Sequence, residues 1–294
     1  MGHLLRRIVV SLLGLVTAVP AAYGQEASGT RPPVASHGTP PVPINDVASL
    51  SPHWARGPER AFISSTFDVG ALFFRPQMAF GYGKPHRSWL GVEVQSNVGA
   101  TGGYMYGGVR IDVPHLDVSG GVRYQVPLDR DYLPRRERYR SSDLDLDVRE
   151  DARYLAAEAN LVTAANVLGG RLVLAALGMH VRNVPDDANL FEERLRAIIA
   201  SPWALRLRLD YLYPVAPTFA VGGRTEAVVL FERDDAVVRA GPAVAVLITD
   251  HLTARGAVSI VAHSPDAIGI RGWDYGELSF RYRWATGDPE PGFP

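Results

Sequence analysis

Hydrophobic and polar residues alternate one by one over long stretches of this chain. Near its end Leu278, Phe280, Tyr282 and Trp284 interleave with Glu277, Ser279, Arg281 and Arg283, so an extended strand here has an apolar, largely aromatic face and a charged one. The same code recurs upstream. Leu72, Phe74, Met78, Phe80 and Tyr82 oppose Arg75 and Gln77; Leu90, Val92 and Val94 oppose Glu93 and Gln95; Leu205, Leu207 and Leu209 oppose Arg206, Arg208 and Asp210. Twelve such segments are predicted, over about 70–83, 89–98, 103–113, 116–127, 152–165, 171–182, 192–200, 204–213, 218–232, 237–248, 252–263 and 276–286. Residues 189–200 also fit a short helix, through Leu190, Phe191, Leu195 and Ile198.

Short turn-forming links such as Pro114-His115 and Leu168-Gly169-Gly170 join neighbouring segments, and no βαβ spacing occurs. The first residues add an export signal. Arg6 and Arg7 precede an apolar run from Ile8 to Val19, and Ala22-Tyr23-Gly24 offers small residues to a signal peptidase, so cleavage is expected after Gly24. Together these features predict an all-β fold: an antiparallel up-and-down transmembrane β-barrel of about 12 strands, placed in a cell outer membrane. The expected organisation is a signal peptide over 1–24, a Pro-rich flexible linker over 25–60, the barrel over 61–286 and a tail over 287–294. A soluble lipocalin-like barrel is the alternative, but it would turn the arginines outward and the aliphatic face inward.

One difficulty arises from parity. With a periplasmic N-terminus, the longest link, 128–151, falls on the periplasmic side, where such barrels keep their turns short. An additional strand over Phe62 to Val69 would reverse that assignment.

The run Gly276-Glu277-Leu278-Ser279-Phe280-Arg281-Tyr282-Arg283-Trp284 resembles the closing strand of Gram-negative outer-membrane β-barrel proteins, with Thr286 to Pro294 following as an additional tail. That resemblance implies outer-membrane lipid and the barrel-assembly machinery as partners. It implies no particular activity, because twelve-stranded barrels serve as channels, phospholipases and proteases.

Composition narrows the chemistry. The chain has 0 cysteines, which excludes disulfides and thiolate metal sites, and a formal net charge of −1, which argues against nucleic acid as a partner. Of 30 basic residues, Lys84 is the sole lysine. Projected inward, the strands place Arg75, Arg110, Arg123, Arg206, Arg208, Arg224, Arg239, Arg255, Arg281 and Arg283 in the lumen, beside Glu93, Asp112, Asp117, Glu158, Asp210, Glu226 and Glu277; Arg182, Arg194 and Arg196 join the same polar face. The lipid-facing set is Leu72, Phe74, Phe80, Tyr82, Leu205, Leu207, Leu209, Leu278, Phe280, Tyr282 and Trp284.

A guanidinium surplus in a narrow water-filled tube favours anions, so a passive pore for small solutes is the first functional expectation. A non-conducting structural or adhesion barrel, stiffened by cross-strand ion pairs, is the second. A hydrolase is the third. Ser259 and His263 share a face but stand about 13 Å apart along a strand, and His180 and His251 lie near strand ends. Asp143, Asp145 and Asp147 project together if extended, where pairing with nearby arginines outweighs calcium binding. No cofactor, catalytic residue or metal ligand is assigned.

Overall fold

A computed structural model describes residues 53–288, apart from 72, 100–101, 129, 146–150, 201 and 270–275. The export signal, most of the linker, Leu72, Asp147 and the last six residues lie outside the described residues. Sixteen strands are assigned: β1 (Arg60–Gly70), β2 (Phe73–Lys84), β3 (Ser88–Gly99), β4 (Gly102–Val113), β5 (Leu116–Pro127), β6 (Leu133–Pro134), β7 (Tyr154–Val167), β8 (Gly170–Arg182), β9 (Ala188–Glu192), β10 (Ala197–Ile199), β11 (Trp203–Ala216), β12 (Phe219–Leu230), β13 (Asp235–Leu247), β14 (Leu252–Val258), β15 (Ile260–His263) and β16 (Gly276–Ala285).

Neighbours in sequence pair antiparallel around a closed ring, which β1 and β16 seal through pairs such as Phe67 with Tyr282. β14 and β15 together make one wall strand, broken at Ser259. The wall therefore has twelve strands, and each twofold alternation sends one side chain inward and the next outward.

The count of twelve hides two compensating corrections. β1 is a full wall strand, while 192–200 is not one: β9 and β10 form a separate hairpin, paired to β6 and taking no part in the wall's hydrogen-bonded ring. β1 escaped the pattern because Phe62 stands on its buried face and Ser65 on the other, which blurs the alternation. Residues 192–200 mimic a strand because the hairpin is itself half-apolar. Restoring β1 also resolves the parity difficulty. The links 128–153, 183–202 and 264–275 now fall at one end of the barrel, and tight turns at 85–87, 114–115, 168–169 and 217–218 at the other.

Leu168 and Gly169 take φ of 50° and 76°, the double positive φ that lets a two-residue hairpin follow the strand twist. At the same end the residues before β1 are ordered. A 3₁₀ turn, His53–Ala55, buries the Trp54 side chain.

The outer face is apolar. Phe74, Phe80, Tyr82, Leu278 and Phe280 are exposed, and Leu205, Leu207, Leu209, Tyr282 and Trp284 are half-exposed. Aromatic residues collect toward both rims of this face, with Phe74, Tyr124 and Trp203 toward the long-loop end and Tyr82, Tyr213 and Trp284 toward the turn end, while Val92, Val94, Val122 and Leu161 lie between.

Candidate functional site

The inner face is built from charge. Except for Glu277 and Arg182, which are exposed, the inward arginines and carboxylates expected from the pattern are buried or half-buried, and most pair across strands. Arg110 contacts Asp117 at 2.7 Å and Glu93 at 3.0 Å. Arg224 holds Asp210 at 2.6 Å and reaches Glu277 at 3.4 Å, with Arg208 on the other oxygen of Asp210 at 3.1 Å. Glu226 gathers Arg196 at 3.0 Å and Arg239 at 3.2 Å, with Arg206 at 4.0 Å. Arg281 makes a two-pronged contact with Asp68 at 2.5 and 2.8 Å, and Arg75 stands 3.9 Å from the same carboxylate. Asp112, Arg255 and Arg283 share this face. Arg182 does not; it is exposed at the end of β8.

The reason for that exception is an apolar sector. β8 turns Val173, Leu177, Met179 and Val181 inward, and the β9–β10 hairpin packs Leu190, Leu195, Ala197 and Ile199 into one cluster with Leu177, Met179, Val181, Ala204 and Val228. The hairpin therefore lies within the lumen. Glu192 from β9 and Arg194 from its turn complete a buried network: Arg123 donates to Glu158 at 2.5 Å and to Glu192 at 2.8 Å, the Tyr154 hydroxyl donates to Glu192 at 2.5 Å, and Arg194 pairs with Glu158. Arg194 and Arg196 thus reach the lumen from a plug and not from the wall.

What the plug leaves is a chain of three cavities. The largest, about 420 Å³, lies toward the long-loop end and is lined by Arg75, Arg194, Arg196, Arg206, Arg208 and Arg224 against Glu193, Glu226 and Glu277, with Phe73, Tyr104 and Phe191 as apolar walls. A second, about 130 Å³, shares Arg194 with the first and continues past Glu93, Gln95, Tyr106 and Glu158. The third, about 60 Å³, shares Gln77 and Arg110 with the second and ends at His86, Arg281 and Arg283 near the turn end. Room beside Tyr106 comes from absent side chains: a Cβ on Gly121 would sit 2.8 Å from its ring.

The residues considered for hydrolysis do not assemble. Ser259 sits at the break between β14 and β15, His263 bonds Asp235 at 2.8 Å, and His180 packs edge-on against Trp203. Asp143 lies in a 3₁₀ turn (Ser141–Asp145), not an extended strand, and pairs with Arg136 at 2.9 Å. Pattern reasoning missed Asp68, whose strand it left as an alternative, and Glu192, whose inward placement depends on the hairpin.

No protein-family model matches the chain, and neither does any curated protein sequence. Among solved structures it is similar to the KdgM porin in complex with disordered oligogalacturonate, at 10% identity and TM-score 0.34 over 76% of this chain and 97% of that one. The NanC porin gives 8% and 0.37 over 76% and 98%, and the outer membrane protein Omp33 of Acinetobacter baumannii 11% and 0.38 over 77% and 99%. At scores this low the likeness decides neither fold nor function.

Proposed function

We propose that this chain is an outer-membrane β-barrel through which small anionic solutes pass by way of the arginine-lined cavities. The membrane reading rests on the outer face. From Phe74 to Tyr82 the apolar stretch of β2 rises about 20 Å at a strand tilt near 40°, close to the apolar band of such barrels, and aromatic residues flank it at both rims. Lipid is the partner that this face fits, and the Leu278, Phe280, Tyr282 and Trp284 alternation of β16 suits recognition by barrel-assembly machinery.

The observation that carries the solute class is the charge of the lumenal cavity toward the long-loop end, six arginines against three glutamates. Planar guanidinium forks suit carboxylate and phosphate oxygens, and a low-dielectric wall strengthens their field. A cavity of about 420 Å³ holds a solute the size of a small sugar acid. The cavity nearest the turn end holds only about 60 Å³, which fits slow, selective transport better than a wide pore.

Planar bilayers test this. Under a KCl gradient the reconstituted barrel gives small steps with a reversal potential displaced toward the chloride equilibrium, and Arg206→Gln with Arg208→Gln moves it back. A second reading, a non-conducting barrel that stiffens the envelope, is favoured by the lumenal plug and its buried ion pairs. Inserted protein that remains electrically silent would overturn the first reading in favour of the second.

A further inference from the structure

Three separate pieces of chain meet at the turn end of the β1–β16 seam. β16 ends at Ala285, and Thr286 accepts from Arg60 at 3.0 Å and from the Ile63 amide at 3.1 Å, so the residues leaving β16 stay beside those entering β1. The turn before β14 joins them, because the Arg283 amide donates to the His251 carbonyl at 2.9 Å. In consequence His53, His251 and Asp288 converge: their ligand-type atoms all lie within 4.8 Å of one another. His53 Nε2 is 2.7 Å from Asp288 Oδ1, and His251 Nδ1 is 3.6 Å from Asp288 Oδ2. All three side chains are buried, with the Asp288 side chain 1% exposed.

We infer that His53, His251 and Asp288 form a binding site for a divalent transition metal, with Zn²⁺ as its best-suited occupant. Two imidazoles and one carboxylate are borderline ligands that zinc accepts, and three protein groups leave a fourth position for water. Tetrahedral zinc at about 2.0–2.1 Å sets its ligand atoms roughly 3.3 Å apart. The His53 contact is to Oδ1 and the His251 contact to Oδ2, so the Asp288 carboxylate turns to present one oxygen to both imidazoles, and the His53–Asp288 pair opens by roughly half an ångström when the metal replaces the shared proton. His251 Nδ1 also stands 3.1 Å from the Arg283 carbonyl, and metal on Nδ1 displaces that contact and puts the ring proton on Nε2.

The surroundings support the ligands. Trp54 packs edge-on against both imidazoles, at 4.9 Å from the His53 ring and 5.3 Å from the His251 ring, which fixes ring orientation and limits water. A bound ion would staple the segment before β1 to the segment after β16 and hold Trp54 against His86. This assignment does not depend on whether the lumen conducts.

The test uses the tag-free, full-length barrel refolded in detergent, with equilibrium dialysis against ZnCl₂ at micromolar concentration. One Zn²⁺ per barrel is expected, weakened more than tenfold by His53→Ala, by His251→Ala and by Asp288→Asn, each checked for heat-modifiable migration as a folded barrel. His53 and Asp288 lie outside the strands, so their variants retain the wall. A second readout is tryptic cleavage after the exposed Arg56, which Zn²⁺ slows in the wild type but not in His53→Ala. No uptake by the wild type, or uptake unchanged by the histidine substitutions, overturns the site.

Discussion

Glu192 has 0% exposure and accepts hydrogen bonds from Arg123, also 0% exposed, and from the Tyr154 hydroxyl. With Glu158 and Arg194 this makes a neutral set of two cations and two anions, each dependent on the others for its solvation. Glu192→Gln leaves one buried positive charge uncompensated and should cost about 3 kcal/mol, whereas Glu192→Gln with Arg123→Met should cost less than the sum of the two single changes. Denaturant unfolding of the refolded barrel measures both, and additive losses would show that the groups are not coupled. His86 gives a pH dependence at the same scale. Burial pushes its imidazole down to about 4, with Arg110 and Arg281 adding to the effect and its contact to the Trp284 carbonyl opposing it. An unfolded chain takes up that proton near pH 6.5, so this contribution to stability is complete above that pH, is lost as pH falls toward 4, and changes no further below. Between pH 7 and pH 4.5 the wild type should lose about 2 kcal/mol more than His86→Asn, read as the difference in unfolding midpoints.

At the scale of elements, the hairpin β9–β10 governs the lumen. Burying Leu190, Leu195 and Ile199 contributes about 5 kcal/mol even after allowance for a compact unfolded state, so the plug stays docked and acts as a fixed constriction. Replacing 188–199 by a short Gly-Ser link should raise single-channel conductance severalfold, and an unchanged conductance would place the constriction elsewhere. Turns show a smaller effect. Leu168 is 89% exposed at φ 50°, where a branched side chain is strained and asparagine is not, so Leu168→Asn should stabilise the barrel by about 1 kcal/mol in urea unfolding. These two elements also mark the limits of pattern reading. Most wall strands were legible because one side is apolar and the other charged, a contrast that twofold periodicity records directly. The hairpin was not, because its alternation is the same while its environment is protein on both sides. β1 was legible only in part, since Phe62 and Trp89 pack together on the inner face and break the code.

For the whole molecule, the division between an oily exterior and a guanidinium interior was readable from single residues such as Arg206 and Leu207, whereas the meeting of His53 with Asp288 was not, because only closure of the ring joins positions 235 residues apart. Closure also decides how the division is best tested. Arg281 is a poor reporter because it holds Asp68, and removing it would leave a buried carboxylate. Ser279 and Phe280 avoid this problem. They are adjacent on β16, Ser279 is 6% exposed and Phe280 46%, and neither makes an ion pair. In liposomes, a cysteine at 280 should react with a bilayer-dissolved reagent and resist a charged aqueous thiol reagent, while a cysteine at 279 should be spared by the lipid-phase reagent. Since the two backbones differ in depth by only about 3 Å, a contrast between them reports the face and not the distance from the membrane surface. Equal labelling of both positions, or the opposite preference, would mean that hydrocarbon does not surround this barrel.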